Sequence, residues 1–186
     1  MIKLTDEEKR LVKAESTFLE KNDIRGFYRE LNNAVTRWGY PNSILGHITQ
    51  FFLENGIDVF NYVDTVYPCM FVGSDLESIT IPDGVKRIQR SAFAGCENLR
   101  NIDLGNTVTT IDARAFYGCK NLRNLFLPDS VTTLGAEVFD GCGDITIVAN
   151  KRTGANRLRC KQGEIPWYRE HLFMKDDGSD SGEGGE

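Results

Sequence analysis

Three stretches of the sequence are near copies of one another: SAFAGCENL at residues 91–99, RAFYGCKNL at 114–122 and EVFDGCGDI at 137–145. Each copy begins 23 residues after the previous one. A fixed period of this length is typical of solenoids, in which each coil buries its apolar edge against the next coil. The sequence therefore predicts a stack of coils. The phenylalanines of the copies then form one interior column: Phe93, Phe116 and Phe139.

The repeat units extend over residues 76–98, 99–121 and 122–144, and each has apolar residues at its first, fourth and sixth positions. These residues are Leu76, Ile79 and Ile81, then Leu99, Ile102 and Leu104, then Leu122, Leu125 and Leu127. The pattern predicts a strand, followed by a turn and a second short apolar segment. Because neighbouring strands lie about 4.8 Å apart, equivalent residues of successive units become neighbours.

One cysteine falls at the same position of each unit, at Cys96, Cys119 and Cys142. A free cysteine packs as a small hydrophobe, whereas a zinc site usually shows paired spacings such as C-x-x-C, which this sequence lacks. Cys69 and Cys160 complete the five cysteines, and the absence of a secretory signal favours a reducing compartment. We interpret the thiols as buried filler and expect no metal and no cofactor; a redox or metal role is the alternative.

The unit LESITIPDGVKRIQRSAFAGCEN and its two successors resemble the BspA-type leucine-rich repeat over residues 76 to 150. This resemblance implies a right-handed solenoid with a parallel sheet on one face, and a role in adhesion or protein–protein recognition, not catalysis. The layout, with a helical front end and an acidic end, is also similar to leucine-rich repeat proteins of phages and prophages. That second resemblance implies a phage-encoded protein that binds and modulates a host protein in the host cytoplasm.

Residues 1–56 have the apolar spacing of three short amphipathic helices, which predicts a small helical bundle. Thr5 and Glu8 form a capping-box pattern, Asp23 is placed to cap the second helix, and Pro41-Asn42-Ser43 begins the third, which Asn55-Gly56 ends. The bundle is interpreted either as a cap on the solenoid or as a separate partner-binding domain. The predicted fold class is therefore α+β.

Two segments flank the predicted repeats. Residues 57–75 have Phe71 at the phenylalanine position and are interpreted as a degenerate first coil that joins the bundle to the solenoid. After the repeats, residues 145–150 predict a fourth strand that does not complete its coil. Residues 151–174 are interpreted as a basic segment and a C-terminal cap, in which Trp167 and Tyr168 close the end of the solenoid.

The stretch DDGSDSGEGGE contains only glycine, serine and acidic residues. Its five acids equal the formal net charge of -5, so the rest of the chain is close to neutral. A segment without apolar side chains cannot offset the entropy lost on ordering. We therefore predict a disordered acidic tail over residues 175–186.

Motifs for catalysis are missing from the sequence. Neither His47 nor His171 has a nucleophile or acid at a spacing that indicates catalysis, and no phosphate-binding or zinc-protease motif is present. No apolar run approaches the roughly 18 residues of a membrane span. The sequence therefore predicts a cytoplasmic protein that is not an enzyme, with no catalytic residues and no membrane contact.

Stacking gives the solenoid columns of exposed residues, which we predict to bind a protein partner. The predicted binding residues are Arg100, Asn101, Asp103, Arg123, Asn124 and Phe126. Adjacent like charges are unfavourable in a sheet, so stability alone does not explain neighbouring arginines. Arginine and aromatic side chains are favoured anchors of interfaces. Alternatively, Glu77 neutralises the arginines and the column has only a structural role.

A second hypothesis is nucleic-acid binding. The segment 151–161 contains five cations and no acid: Lys151, Arg152, Arg157, Arg159 and Lys161. Such a cluster can hold phosphates with an affinity that falls as salt is added. The acidic tail could then compete for the same cations and inhibit binding.

Overall fold

The structure, a computed structural model, describes residues 3–14, 16–21, 23–39, 41–150, 159–160 and 172–175 of the 186-residue chain. Helices come first, and a solenoid of about four turns built from parallel strands follows. The predicted α+β class and the order of its two parts are confirmed. The predicted acidic tail, apart from Lys175, lies outside the described residues.

The described part of the N-terminal region contains four α-helices and one short 3-10 helix. They are α1 (Asp6–Ala14), α2 (Ser16–Glu20), α3 (Ile24–Trp38), α4 (Ser43–Glu54) and the 3-10 helix Val59–Tyr62. The first of the three predicted helices is thus two elements, α1 and α2. Leu11, Ala14, Phe18 and Leu19 continue at helical spacing across the break between the two helices, so the spacing alone did not separate them.

The predicted helix ends agree with the structure. The Glu8 amide donates to Thr5 Oγ1 at 3.2 Å and the Thr5 amide donates to Glu8 Oε2 at 2.7 Å, a capping box at the start of α1. Asp23 Oδ1 accepts a hydrogen bond from the Gly26 amide at 2.7 Å at the start of α3. Burial raises the pKa of Glu8, but hydrogen bonds from His47 and Thr5 outweigh it and hold that pKa below its usual value.

Within the described ranges, ten strands pair in parallel to form two sheets. They are β1 (Thr65–Val66), β2 (Ser78–Thr80), β3 (Arg87–Ile88), β4 (Asn101–Asp103), β5 (Thr110–Ile111), β6 (Asn124–Leu127), β7 (Thr133–Leu134), β8 (Thr146–Asn150), β9 (Arg159–Cys160) and β10 (Leu172–Lys175). Sheet A has the order β1-β3-β5-β7-β9, and sheet B has the order β10-β8-β6-β4-β2.

The sheets extend the predicted architecture in two ways. The sequence predicts one sheet, whereas the second apolar segment of each unit also pairs from coil to coil and forms sheet A. The expectation that the strand at 145–150 leaves its coil incomplete is wrong, because β9 pairs with β7 and β10 pairs with β8. The basic sequence around β9 does not continue the 23-residue apolar pattern that identifies the earlier coils.

The register of sheet B follows the 23-residue repeat from β2 to β6 and departs from it at β8 and again at β10, where Leu172 pairs with Ile147, 25 residues earlier. Ser78 pairs with Asn101 and Asn101 pairs with Asn124, each 23 residues apart. Asn124 then pairs with Thr146, only 22 residues further on. The turn before β8 is therefore one residue shorter than the equivalent turns.

The predicted phenylalanine column is present in the core. Ring centroids are 5.4 Å apart between Phe93 and Phe116 and 5.8 Å apart between Phe116 and Phe139, and the rings are nearly parallel. Phe71 adds a fourth ring at 4.7 Å from Phe93, and Phe60 stacks on Phe71 at 5.9 Å. All four column residues are fully buried. This confirms that the three copies form successive coils of one stack.

The repeated cysteines form a ladder of free thiols, as predicted; Cys96 and Cys119 are buried, whereas Cys142 is only partly buried. Each Sγ donates to the carbonyl oxygen of a phenylalanine in the preceding coil, at 2.9 Å from Cys96, 3.1 Å from Cys119 and 3.1 Å from Cys142. Hydrogen bonding to Cys142 and Cys96, together with burial, raises the pKa of the Cys119 thiol. Ser74 occupies the equivalent position before the first repeat, and its hydroxyl contacts Cys96 Sγ at 3.3 Å.

The helices pack directly on the first coil. Gly46 of α4 lies so close to this coil that an added Cβ would overlap the carbonyl oxygen of Val72. Gln50 Oε1 accepts a hydrogen bond from the Asp75 amide at 2.8 Å. One continuous hydrophobic cluster runs from the helices to Ile147 in β8. These contacts favour the interpretation of the bundle as a cap that covers the apolar end of the stack.

Candidate functional site

Four of the predicted binding residues lie on the exposed face of sheet B, and the other two, Arg100 and Arg123, come directly before its strands β4 and β6. Alternate residues of a strand point to opposite faces, and β4 and β6 show this alternation between buried and exposed side chains. The six predicted residues are all exposed: Arg100, Asn101, Asp103, Arg123, Asn124 and Phe126. We call this set the docking strip. Whether it binds a partner stays a prediction.

Register places the members of the docking strip side by side. Asn101 pairs with Asn124, so Arg100 and Arg123 precede adjacent strands at the same level. By the same register Asp103 lies beside Phe126, whose side chain is 51% exposed. An aromatic side chain of this exposure between polar neighbours is typical of an interface anchor.

The two arginines of the docking strip have no ion-pair or hydrogen-bond partner for their guanidinium groups among the described residues. Glu77 occupies the position equivalent to Arg100 in the preceding coil. Its side chain is exposed and forms no ion pair with that arginine. Neutralisation by direct contact with Glu77 therefore does not account for the arginines.

Gly143 shapes the site, although the sequence analysis did not single it out. Its equivalents in the first two units are Glu97 and Lys120, so the third unit lacks a side chain here. A Cβ at Gly143 would lie 2.7 Å from Nη1 of Arg123. The glycine thus leaves room for the Arg123 guanidinium. The break in an otherwise charged column is the sequence signal that identifies it.

Other charged columns of the solenoid contain ion pairs between coils. Lys120 Nζ lies 2.7 Å from Glu97 Oε1, and Arg114 Nε lies 2.5 Å from Glu137 Oε2. Arg87 makes two hydrogen bonds to the Asp112 carboxylate, at 2.8 and 2.9 Å. The docking strip differs from these columns in leaving its arginines available.

A groove of about 270 Å³ lies between α3 and the first coil. Its lining includes Arg25, Tyr28, Arg29 and Tyr67, and the two tyrosine rings stack at 6.2 Å. Arg29 pairs with Glu30 at 3.0 Å, which offsets part of the positive charge. The docking strip combines cations that are unpaired within the described ranges with an exposed aromatic ring, which makes it the stronger candidate site.

Two further hypotheses from the sequence are a nucleic-acid-binding segment and, as an alternative role for the cysteines, a metal site. Of the predicted nucleic-acid-binding residues, Arg159 lies in β9, opposite Thr133. The structure does not describe the other four, which are Lys151, Arg152, Arg157 and Lys161. The predicted cap residues Trp167 and Tyr168 also lie outside the described residues. Binding of nucleic acid by this segment stays a prediction. Within the described ranges, no His, Cys, Asp and Glu side chains gather as a metal site would require.

Stacked parallel coils, the buried phenylalanine column and the exposed polar sheet define a leucine-rich repeat solenoid. The chain belongs to the BspA type leucine rich repeat family, whose model matches residues 57–153 in six copies. The match begins before the first clear repeat and includes Phe71 and Ser74, which continue the phenylalanine and cysteine columns.

Two solved structures are similar to this chain. One is a leucine-rich repeat protein from Bacteroides capillosus ATCC 29799, 27% identical over 48% of this chain and 64% of that chain, with a TM-score of 0.45. The other is a leucine rich cell surface protein from Faecalibacterium prausnitzii A2-165, 24% identical over 56% of this chain and 34% of that chain, with a TM-score of 0.43. This chain therefore spans less than two thirds of either. No curated protein matches it.

Leucine-rich repeats of this kind generally serve as scaffolds for protein–protein interaction and not as enzymes. None of the helices in the described ranges combines the length and the apolar character needed to cross a bilayer.

Proposed function

We propose that this chain is a non-enzymatic recognition module and that the docking strip is its protein-binding surface. The observation that carries the proposal is the pair of exposed arginines, Arg100 and Arg123, which precede adjacent strands of sheet B and are unpaired among the described residues. Phe126 adds a half-exposed aromatic ring on the outward face of β6. Desolvated arginine and aromatic side chains supply much of the binding energy of protein interfaces.

The strip also has the rigidity that recognition requires. Its strands are held on both sides by parallel pairing, and their inward residues, Ile102 and Leu125, are buried against the core. A surface fixed before binding loses little conformational entropy when the partner arrives. The proposed partner is a protein that places carboxylates against the arginines and an apolar side chain against Phe126.

Affinity capture from lysate of the native cells tests the proposal. Changing Arg100, Arg123 and Phe126 to Ala is expected to reduce recovery of a partner by more than about tenfold, because three anchors are removed. The matched control changes Arg87, Arg114 and Tyr117 to Ala. It also removes two arginines and one exposed aromatic residue, but from outside the strip. Equal recovery by the first variant and the unchanged chain rejects the strip.

We extend the proposal to a host protein as the partner, on the resemblance to phage-encoded proteins. Binding would then change the activity of that protein. The captured partner is assayed with and without an equimolar amount of this chain, and with the strip variant as the control. An activity that responds equally to both chains contradicts modulation through the strip.

A further inference from the structure

The segment that follows β10 carries charge opposite to that of the docking strip. Residues 176–186 contain five acids and no Lys or Arg. The strip presents Arg100 and Arg123, which have no ion-pair partner among the described residues. Carboxylates form short, charge-assisted hydrogen bonds with guanidinium groups. The acidic segment therefore has the chemistry to occupy the arginines.

The topology places the start of this segment within reach of the strip. β10 is the outer strand of sheet B, next to β8 and two strands from β6. Its last residue is Lys175, which pairs with Asn150. A strand spacing of about 4.8 Å and a rise of about 3.3 Å per residue put Lys175 roughly 20 Å from Arg123 and slightly further from Arg100.

The acidic segment is long enough to cover this distance. Extended chain spans about 3.3 Å per residue, so seven residues beyond Lys175 cover roughly 23 Å. Glu183 is the eighth residue after Lys175, and Glu186 is the eleventh. Carboxylates can therefore contact both arginines without any change in the stacked coils.

We propose that residues 176–186 bind the docking strip of the same chain and occupy its arginines until a protein partner displaces them. This inference rests on the proposed function and adds a means of regulation to it. Attachment to the same chain raises the effective concentration of the segment at the strip to the millimolar range, so a weak contact suffices.

The composition of the segment explains why a partner displaces it. Its residues are Asp, Glu, Gly and Ser only, so no large apolar side chain is available to cover Phe126. The contact is then mainly electrostatic and weakens as salt screens the charges. A partner that contacts both the arginines and Phe126 gains the additional free energy of burying the aromatic ring.

Peptide binding to the full chain tests this proposal. In one form of the chain the five acids are replaced by amides: Asp176→Asn, Asp177→Asn, Asp180→Asn, Glu183→Gln and Glu186→Gln. A synthetic peptide of residues 176–186 is titrated into this form and into the native chain, and NMR follows the arginine Nε–H signals. We expect the native chain to bind the peptide about tenfold more weakly, because its own segment competes at millimolar effective concentration.

Two further variants of the amide form locate the contact. Arg100→Gln with Arg123→Gln is expected to abolish peptide binding. Arg87→Gln with Arg114→Gln removes the same charge elsewhere and is expected to preserve it. Thermal unfolding by circular dichroism confirms that each variant is folded. Arg-to-Lys changes at positions 100 and 123 provide a folded variant with the charge retained, and we expect them to restore at least part of the binding.

Several results overturn the proposal. Equal peptide affinity for the native and amide forms shows that the segment does not compete for the strip. A second contradicting result is contact of the peptide with the basic segment 151–161 instead of the strip. In that case, peptide binding survives the changes at Arg100 and Arg123 and disappears when the basic residues of 151–161 are replaced. The partner-capture experiment is read independently, so loss of the intramolecular contact leaves the proposed function intact.

Discussion

The docking strip and the rest of the solenoid surface use the same repeat in different ways. Along the turns, a 23-residue repeat alternates the sign of charge, so Glu97 meets Lys120 and Arg114 meets Glu137 in the next coil. On sheet B the same repeat places Arg100 next to Arg123. Stacking makes equivalent residues neighbours, so a repeated charge is disfavoured unless another interaction compensates it.

This difference separates residues that hold coils together from residues left available for a partner. Cross-coil pairs such as Arg87 with Asp112 satisfy each other within the protein. The strip arginines have no such pairing among the described residues, and Phe126 is half exposed in a fold that buries its repeated phenylalanines. The predictions below compare positions on the strip with positions off it.

The largest expected effect compares two phenylalanines. Phe93→Ala removes a fully buried ring from the interior column and is expected to lower the free energy of unfolding by about 3–5 kcal/mol. Phe126→Ala removes an exposed ring and is expected to change it by less than about 0.5 kcal/mol. Urea denaturation measures both. Similar losses for the two variants contradict the assignment of Phe126 to a surface role.

The second expected effect concerns the contact between α4 and the first coil. Gly46→Ala is expected to destabilise the protein by about 1–3 kcal/mol, because the new methyl group overlaps the Val72 carbonyl and forces the helix outward. Helix propensity alone predicts a gain of up to about 1 kcal/mol. The control is Asn33→Ala at an exposed position of α3. Stabilisation by Gly46→Ala contradicts the close packing of the bundle on the solenoid.

The smallest expected effect compares two charge pairs by double-mutant cycles. Arg87 and Asp112 are expected to show a coupling of about 0.2–1 kcal/mol, typical of an exposed ion pair and reduced by salt. Glu77 and Arg100 occupy neighbouring coils without forming an ion pair, and their coupling is expected to be close to zero. A coupling of equal size in both cycles indicates that Glu77 neutralises the strip.

The sequence predicted the repeated core because its signals are local and recur. The phenylalanine column, the cysteine ladder and the helix caps at Thr5 and Asp23 each depend on residue type and a short spacing. The columns of the docking strip followed from the same period. Register then placed Asn101 beside Asn124, as the spacing indicated.

Features that depend on contacts between distant segments were not predicted. The overlap of Gly46 with Val72 depends on how the bundle meets the solenoid, and the pairing of β10 with β8 depends on the path of a segment without repeats. The shorter turn before β8 removes one residue from the period, which changes the register without changing the apolar pattern. Ser74 and Gly143 were detectable, since Ser74 replaces the repeated cysteine and Gly143 interrupts a column that is charged in the first two units.

Photo-cross-linking tests the central claim, that sheet B binds while the other surfaces stabilise. A photoreactive phenylalanine analogue is introduced at position 126 in one chain and at position 117, another exposed aromatic position, in a second chain. The account predicts that the captured partner cross-links through position 126 and not through position 117. Efficient cross-linking through position 117, with none through position 126, contradicts it.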